Sequence, residues 1–93
     1  MAIVSYRDRD AEGLSATGTS RRYAAFARIA LRKLRMLEAA TSLQDLRSPP
    51  GNHLEALAGD RIGQHAIRIN QQFRICFRWS EAGASDVEIV DYH

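Results

Sequence analysis

Asp91-Tyr92-His93 places a carboxylate, a phenol and an imidazole side by side, directly after the apolar run of a strand, Val87-Glu88-Ile89-Val90. All three groups can take part in proton chemistry. Cleavage of a phosphodiester next to a ribose needs a base for the 2′-hydroxyl, an acid for the leaving oxygen and a cation for the charge that builds on phosphorus. Histidine and tyrosine can move the protons, and arginine can hold the charge. The plainer alternative is a frayed strand end whose Tyr92 packs on the sheet. Neighbouring residues of a strand point to opposite faces, so the three side chains converge only where the strand twists or stops.

The cations are unusually uniform. Of thirteen basic residues in this 93-residue chain, twelve are arginine and the other is Lys33. Guanidinium groups pair with phosphate bidentately and stack on bases. A high-GC coding bias would enrich arginine equally well. Arg74 sits inside a strand, either to contact phosphate or to pair with Glu88 or Asp86 across the ladder. Arg68 and Arg78 share its face; they too are either solvated strand residues or contacts for RNA, as is Arg61 in a turn. His53 and His65 read as solvated surface histidines. Cys76 has no evident histidine or aspartate partner and reads as a small strand filler.

The elements that must position these groups follow from periodicity. Ile3 to Tyr6 is β-prone and forms a candidate first strand. Asp8 to Gly18 is polar and mixed, a candidate short helix closed by Gly13 or Gly18. Thr19 or Ser20 can cap the next element. From Arg21 to Ala40, apolar residues including Tyr23, Phe26, Ala30, Leu34 and Leu37 recur at three and four, so a long amphipathic helix is expected. Arg28, Arg32 and Arg35 fall on its other face. Ser42 to Leu46 reads as one helical turn, and Pro49-Pro50-Gly51-Asn52 excludes regular structure. Leu54 to Leu57 is a candidate strand, followed by a turn at Gly59-Asp60-Arg61. Gln64 to Ile69 and Gln72 to Trp79 alternate across a turn at Asn70-Gln71, and Val87 to Tyr92 forms the last strand. Phe73, Ile75, Phe77 and Trp79 point one way; Arg74, Cys76 and Arg78 point the other. The expectation is one α+β domain over residues 1–93, with an N-terminal strand and helices packed on one face of a mainly antiparallel sheet of about four to five strands.

Composition is ordinary for a folded domain, 45% hydrophobic and 26% charged. No apolar run is long enough for a membrane span, and the start of the chain lacks the pattern of a signal peptide. A single cysteine, Cys76, excludes an internal disulfide and fits a reducing cytoplasm. No Cys/His cluster has zinc-ligand spacing.

Four blocks, taken in order, carry a family resemblance. They are Leu54-Glu55-Ala56-Leu57-Ala58-Gly59-Asp60, Gln64-His65-Ala66-Ile67-Arg68-Ile69-Asn70, Phe73-Arg74-Ile75-Cys76-Phe77-Arg78-Trp79 and Val87-Glu88-Ile89-Val90-Asp91-Tyr92-His93. Together with the arginine-rich helix and the Pro-Pro-Gly-Asn loop, they resemble HigB-type toxins of the RelE/ParE superfamily, also called plasmid maintenance system killer proteins. The resemblance is weakest from Asp8 to Ser20. It implies a RelE-like fold and a microbial type II toxin that enters the ribosomal A site and cuts mRNA there. It implies no metal or other cofactor, because the 2′-hydroxyl attacks the adjacent phosphate. It also implies a HigA-type antitoxin with a helix-turn-helix domain, through which the complex represses its own operator DNA.

By position, Arg74 matches the strand arginine that binds the scissile phosphate, and Asp91, Tyr92 and His93 match the catalytic motif. His93 then handles a proton, Tyr92 orients or stacks on the substrate, and Asp91 tunes its neighbours. Some relatives carry histidine where this chain has Glu55, which could serve as a base. Many carry lysine at Ala58 and tryptophan at Phe73. Those departures also fit an attenuated toxin or a non-catalytic module, either a co-repressor that binds the antitoxin or an inhibitor of another target such as gyrase.

Overall fold

The computed structural model describes residues 3–91. The first helix, α1, spans Arg9–Thr17. The Asp8 carboxylate starts it by accepting from the Asp10 and Ala11 N–H groups at 2.9 and 3.1 Å, which satisfies two of the donors a helix start leaves unpaired. Gly18 ends it in the left-handed region, φ 82°, where a side chain is disfavoured. Of the two glycines expected to close this helix, the helix runs past Gly13 and stops at Gly18.

The long helix is shorter than its periodicity predicts. The regular helix α2 covers Ala27–Ala39, preceded by a single 3-10 turn at Ala24–Phe26. Ser20 does cap the approach, its Oγ accepting from the Tyr23 N–H at 3.1 Å. Tertiary partners claim the residues in between: the Tyr23 hydroxyl donates to Asp8 at 2.6 Å, and the Phe26 ring packs on Phe73 with centroids 4.5 Å apart. Ala30, Leu34 and Leu37 are buried as expected, and Arg28, Arg32 and Arg35 are exposed.

Among the described residues the sheet has four strands in sequence order: β1 Glu55–Ala56, β2 His65–Arg68, β3 Phe73–Ser80 and β4 Gly83–Asp91, all antiparallel. The expected N-terminal strand is instead two isolated parallel bridges, Ile3 to Ala84 and Tyr6 to Val87. β4 carries one residue more than β3 between Cys76 and Arg78, and Asp86 takes up the excess at φ 53°. Ser5 serves this bulge: its Oγ accepts from Asp86 N and its carbonyl from Val87 N. A bulged partner offers no regular ladder, which is why the N-terminal segment touches β4 only at points.

Helices and sheet enclose one core. Ile67, Ile75, Phe77, Val87 and Ile89 on the sheet meet Leu14, Ala30, Leu34 and Leu37 on the helices. The opposite sheet face is not simply solvated. Leu57, Ala66 and Cys76 form a second small buried cluster there, with Val90 packed against it.

Pro49-Pro50-Gly51-Asn52 is more ordered than its composition predicts. Pro50–Asn52 makes one 3-10 turn, since proline suits the first position of such a turn. Asn52 anchors it. This fully buried side chain donates to the Leu46 and Ser48 carbonyls at 3.1 and 3.4 Å and accepts from the Lys33 ammonium.

Candidate functional site

On the sheet face away from the helices, side chains fall into rows. Glu55, Ala66, Cys76 and Glu88 lie opposite one another across all four strands, and Arg68, Arg74 and Val90 form the next row. Glu55 and Arg68 are therefore diagonal neighbours, about 7–8 Å apart between Cα atoms. A cleft of about 280 Å³ opens over them, lined by His53, Leu54, Glu55, Arg68 and Arg74.

Arg74 is the floor of this cleft. Only 7% of it is exposed. Its Nη1 donates to the Asn70 carbonyl at 3.0 Å and to its neighbour Phe73's carbonyl at 3.4 Å. The strand turn it follows is itself fixed, because Asn70 Oδ1 accepts from the Gln72 and Phe73 N–H groups at 2.8 Å each. Arg68 faces Arg74 directly across the ladder, and its Nε is buried without a hydrogen-bond partner among the described residues. Like charges in direct register repel, so the pair favours an anion between or above them.

Neither carboxylate expected to pair with Arg74 is bound to it through a described contact. Glu88 accepts from Arg61 at 3.0 Å, and Asp86 lies 3.8 Å from Arg78. These contacts separate the candidate residues. Arg61, which also donates to Gln64 at 3.0 Å, ties the Gly59–Arg61 turn to β4. Arg78 lies at the bulge. Neither lines the cleft. Ala58 is exposed at the entry to that turn.

Asp91 closes β4 opposite Phe73, exposed, with its Oδ2 accepting from Gln72 Nε2 at 3.0 Å. The expected roles of Tyr92 and His93 lie outside the described residues. Cys76 lies on the same sheet face, opposite Ala66 and Glu88, fully buried. Burial pushes its thiol above the ordinary range, and Glu88 and Glu55 add to this against Arg61 and Arg74. A protonated buried thiol is a packing group and not a nucleophile.

His53 was read from sequence as a surface residue. It is exposed, yet it stands at the mouth of this cleft. Its backbone is left-handed, φ 47° and ψ 50°, with its N–H bonded to Pro50's carbonyl at 3.1 Å. The signal was its position, one residue past a turn-forming Asn52 and two before Glu55. A larger cleft of about 380 Å³ lies at the start of α1. Its lining holds Arg7, Arg9 and Arg22 together with Asp8, Asp10 and Glu88; Arg22 lies 3.3 Å from Asp10, and Asp8 accepts from the Tyr23 hydroxyl and the Ile89 N–H. It has no comparable excess of positive charge.

The family model for HigB-like toxins, described as the RelE-like toxin of the type II toxin–antitoxin system HigB, matches residues 17–93. Toxin HigB-1 of Vibrio cholerae serotype O1 is 47% identical over 53 residues, which is 57% of this chain and 56% of that toxin. An uncharacterized protein of Haemophilus influenzae is 40% identical over 52 residues, 56% of this chain and 52% of its own. The chain thus aligns with only about half the length of these curated relatives. A YoeB/ParE toxin from Agrobacterium tumefaciens has the same fold, with a TM-score of 0.53 at 23% identity, covering 100% of this chain and 99% of that one.

Proposed function

The chain belongs to the HigB-like, RelE-like toxins of type II toxin–antitoxin systems, and from that premise we propose that it is a ribosome-dependent endoribonuclease that cuts mRNA in the A site. The observation that carries this reading is Arg74, a buried arginine held by two carbonyls beneath a cleft that also contains Arg68 and Glu55. A cation fixed before substrate arrives needs no reorganisation as charge develops on phosphorus.

The chemistry follows from these groups. Arg74 and Arg68 bind the scissile phosphate. The 2′-hydroxyl loses its proton at the carboxylate side of the cleft, where Glu55 stands, and its oxygen attacks phosphorus. The bond to the 5′-oxygen breaks, and His93 returns a proton to that oxygen. Tyr92 orients or stacks on the substrate, and Asp91 tunes its neighbours. Arg61 and Arg78 hold the flanking RNA. The partner is a HigA-type antitoxin, and through it operator DNA; the site of action is the cytoplasm.

Toeprinting on programmed ribosomes tests the proposal. Wild type should leave cuts in the A-site codon, and Arg74→Ala or His93→Ala should lower cleavage by about 10²-fold or more. Equal cutting by wild type and both variants would remove the residue assignment. Exposed Ala58 in place of a cation favours a second reading, a non-catalytic toxin or co-repressor. Gyrase inhibition, or operator repression with the antitoxin, in the absence of any mRNA cut would decide for it.

A further inference from the structure

We propose that His53 is the proton acceptor for the 2′-hydroxyl in this cleft, with Glu55 as the carboxylate that steadies the imidazolium once it forms. The assignment rests on the cleavage reading above. Three observations carry it. His53 lines the same cleft as Arg68 and Arg74. The loop that presents it is anchored at the preceding residue, because Asn52 is fully buried and bonded to Leu46, Ser48 and Lys33. Its own backbone sits in the left-handed region, φ 47° and ψ 50°, with its N–H bonded to the Pro50 carbonyl at 3.1 Å, which fixes where the loop presents the ring.

Among the described residues, the charged groups that line the cleft with His53 are Glu55 from β1, Arg68 from β2 and Arg74 from β3. Imidazole is a better proton acceptor near neutrality than a carboxylate, because catalytic efficiency rises as the acceptor's affinity for the proton approaches the working pH. In the step, the proton passes from O2′ to the imidazole as the O2′–P bond forms. The P–O5′ bond breaks with its electron pair on O5′, which takes a proton. The products are a 2′,3′-cyclic phosphate and a 5′-hydroxyl, with no net oxidation.

The test is single-turnover cleavage of ribosome-bound mRNA across pH, with wild type, His53→Asn, His53→Arg and His53→Gly. Asparagine and glycine both suit the left-handed backbone, and thermal unfolding checks that each variant is folded. His53→Asn should cut about 10²-fold more slowly and lose one ionisation from the pH–rate profile. His53→Arg should not restore the rate, and added imidazole should speed His53→Gly. Wild-type rate and an unchanged profile in His53→Asn would overturn the assignment, as would wild-type rate in His53→Arg, which would leave His53 only a charge. Arg74→Ala separates the two claims. If wild type cuts and Arg74→Ala does not, while His53→Asn matches wild type, only the His53 assignment fails. If wild type itself does not cut, both fail.

Discussion

Arg68 and Arg74 stand directly opposite each other on β2 and β3, on the sheet face that the helices leave open. Two guanidinium groups in register are an unfavourable pair in a strand ladder. Arg74 is nonetheless among the more deeply buried polar side chains of the protein, held by Asn70 and Phe73 carbonyls. Among the described residues, two of the three charged side chains lining the cleft, Arg68 and Arg74 but not Glu55, are cations, which suits the phosphate contact proposed for it.

Removing one charge should therefore stabilise the free protein. Arg68→Gln is expected to gain about 0.5 kcal/mol in urea unfolding at low salt, with the gain shrinking as salt screens the pair. Inorganic phosphate should raise the melting temperature of wild type more than that of Arg68→Gln. A gain that is constant at every salt concentration would mean altered packing and not relieved charge.

On the cleavage reading proposed above, Arg74 works through geometry as well as charge. Arg74→Lys keeps the cation but loses the planar fork that can hold the strand-turn carbonyls while facing the cleft. Cleavage kcat should fall by about 10-fold or more, with a smaller change in KM. A lysine variant as fast as wild type would reduce Arg74 to a point charge.

Asn52 should be the most sensitive position of the loop. Asn52→Ala leaves the Leu46 and Ser48 carbonyls and the Lys33 ammonium without their partner. The cost should be about 2–3 kcal/mol, a drop of roughly 10–20 °C in melting temperature for a domain of this size. A calorimetric change below a few degrees would show that the loop is held by its prolines alone.

Alkaline stability should depend on two tyrosines. Burial, reinforced by the hydrogen bond to Asp8, holds the Tyr23 phenol well above the ordinary range, and burial raises Tyr6. The native state therefore keeps both protons after the unfolded chain begins to lose them. The stabilisation is full below about pH 10 and declines as pH rises above it. Tyr23→Phe should cost about 1–2 kcal/mol at neutral pH and flatten the decline above pH 10, leaving the share from Tyr6. Urea midpoints measured between neutral and strongly alkaline pH check this, and parallel curves for the two proteins would contradict it.

Cys76 should be inert while the protein is folded. Its thiol is buried in the cluster with Ala66 and Leu57, and burial raises its pKa. Iodoacetamide labelling should be about 10³-fold slower than in the denatured chain. Rapid labelling without unfolding would place the thiol at the surface.

Much of this protein is legible in one dimension. Strand alternation separates Ile75 and Phe77 from Arg74 and Cys76, because successive side chains must point to opposite faces. Three-and-four spacing identifies Ala30, Leu34 and Leu37 as the buried stripe of a helix. Residue order across four blocks was enough to recognise the family. What only the tertiary structure decided is which charges meet. Sequence offered Glu88 and Asp86 as partners for Arg74; the fold assigns Glu88 to Arg61, and Asp86 lies on a bulge beside Arg78. It broke the long helix at Tyr23 and Phe26 because their partners, Asp8 and Phe73, lie far away in the chain. It also brought His53 to the mouth of the arginine cleft. Periodicity records which face a residue occupies, but register, bulges and loop anchors depend on contacts between distant segments, and those exist only once the chain has closed on itself.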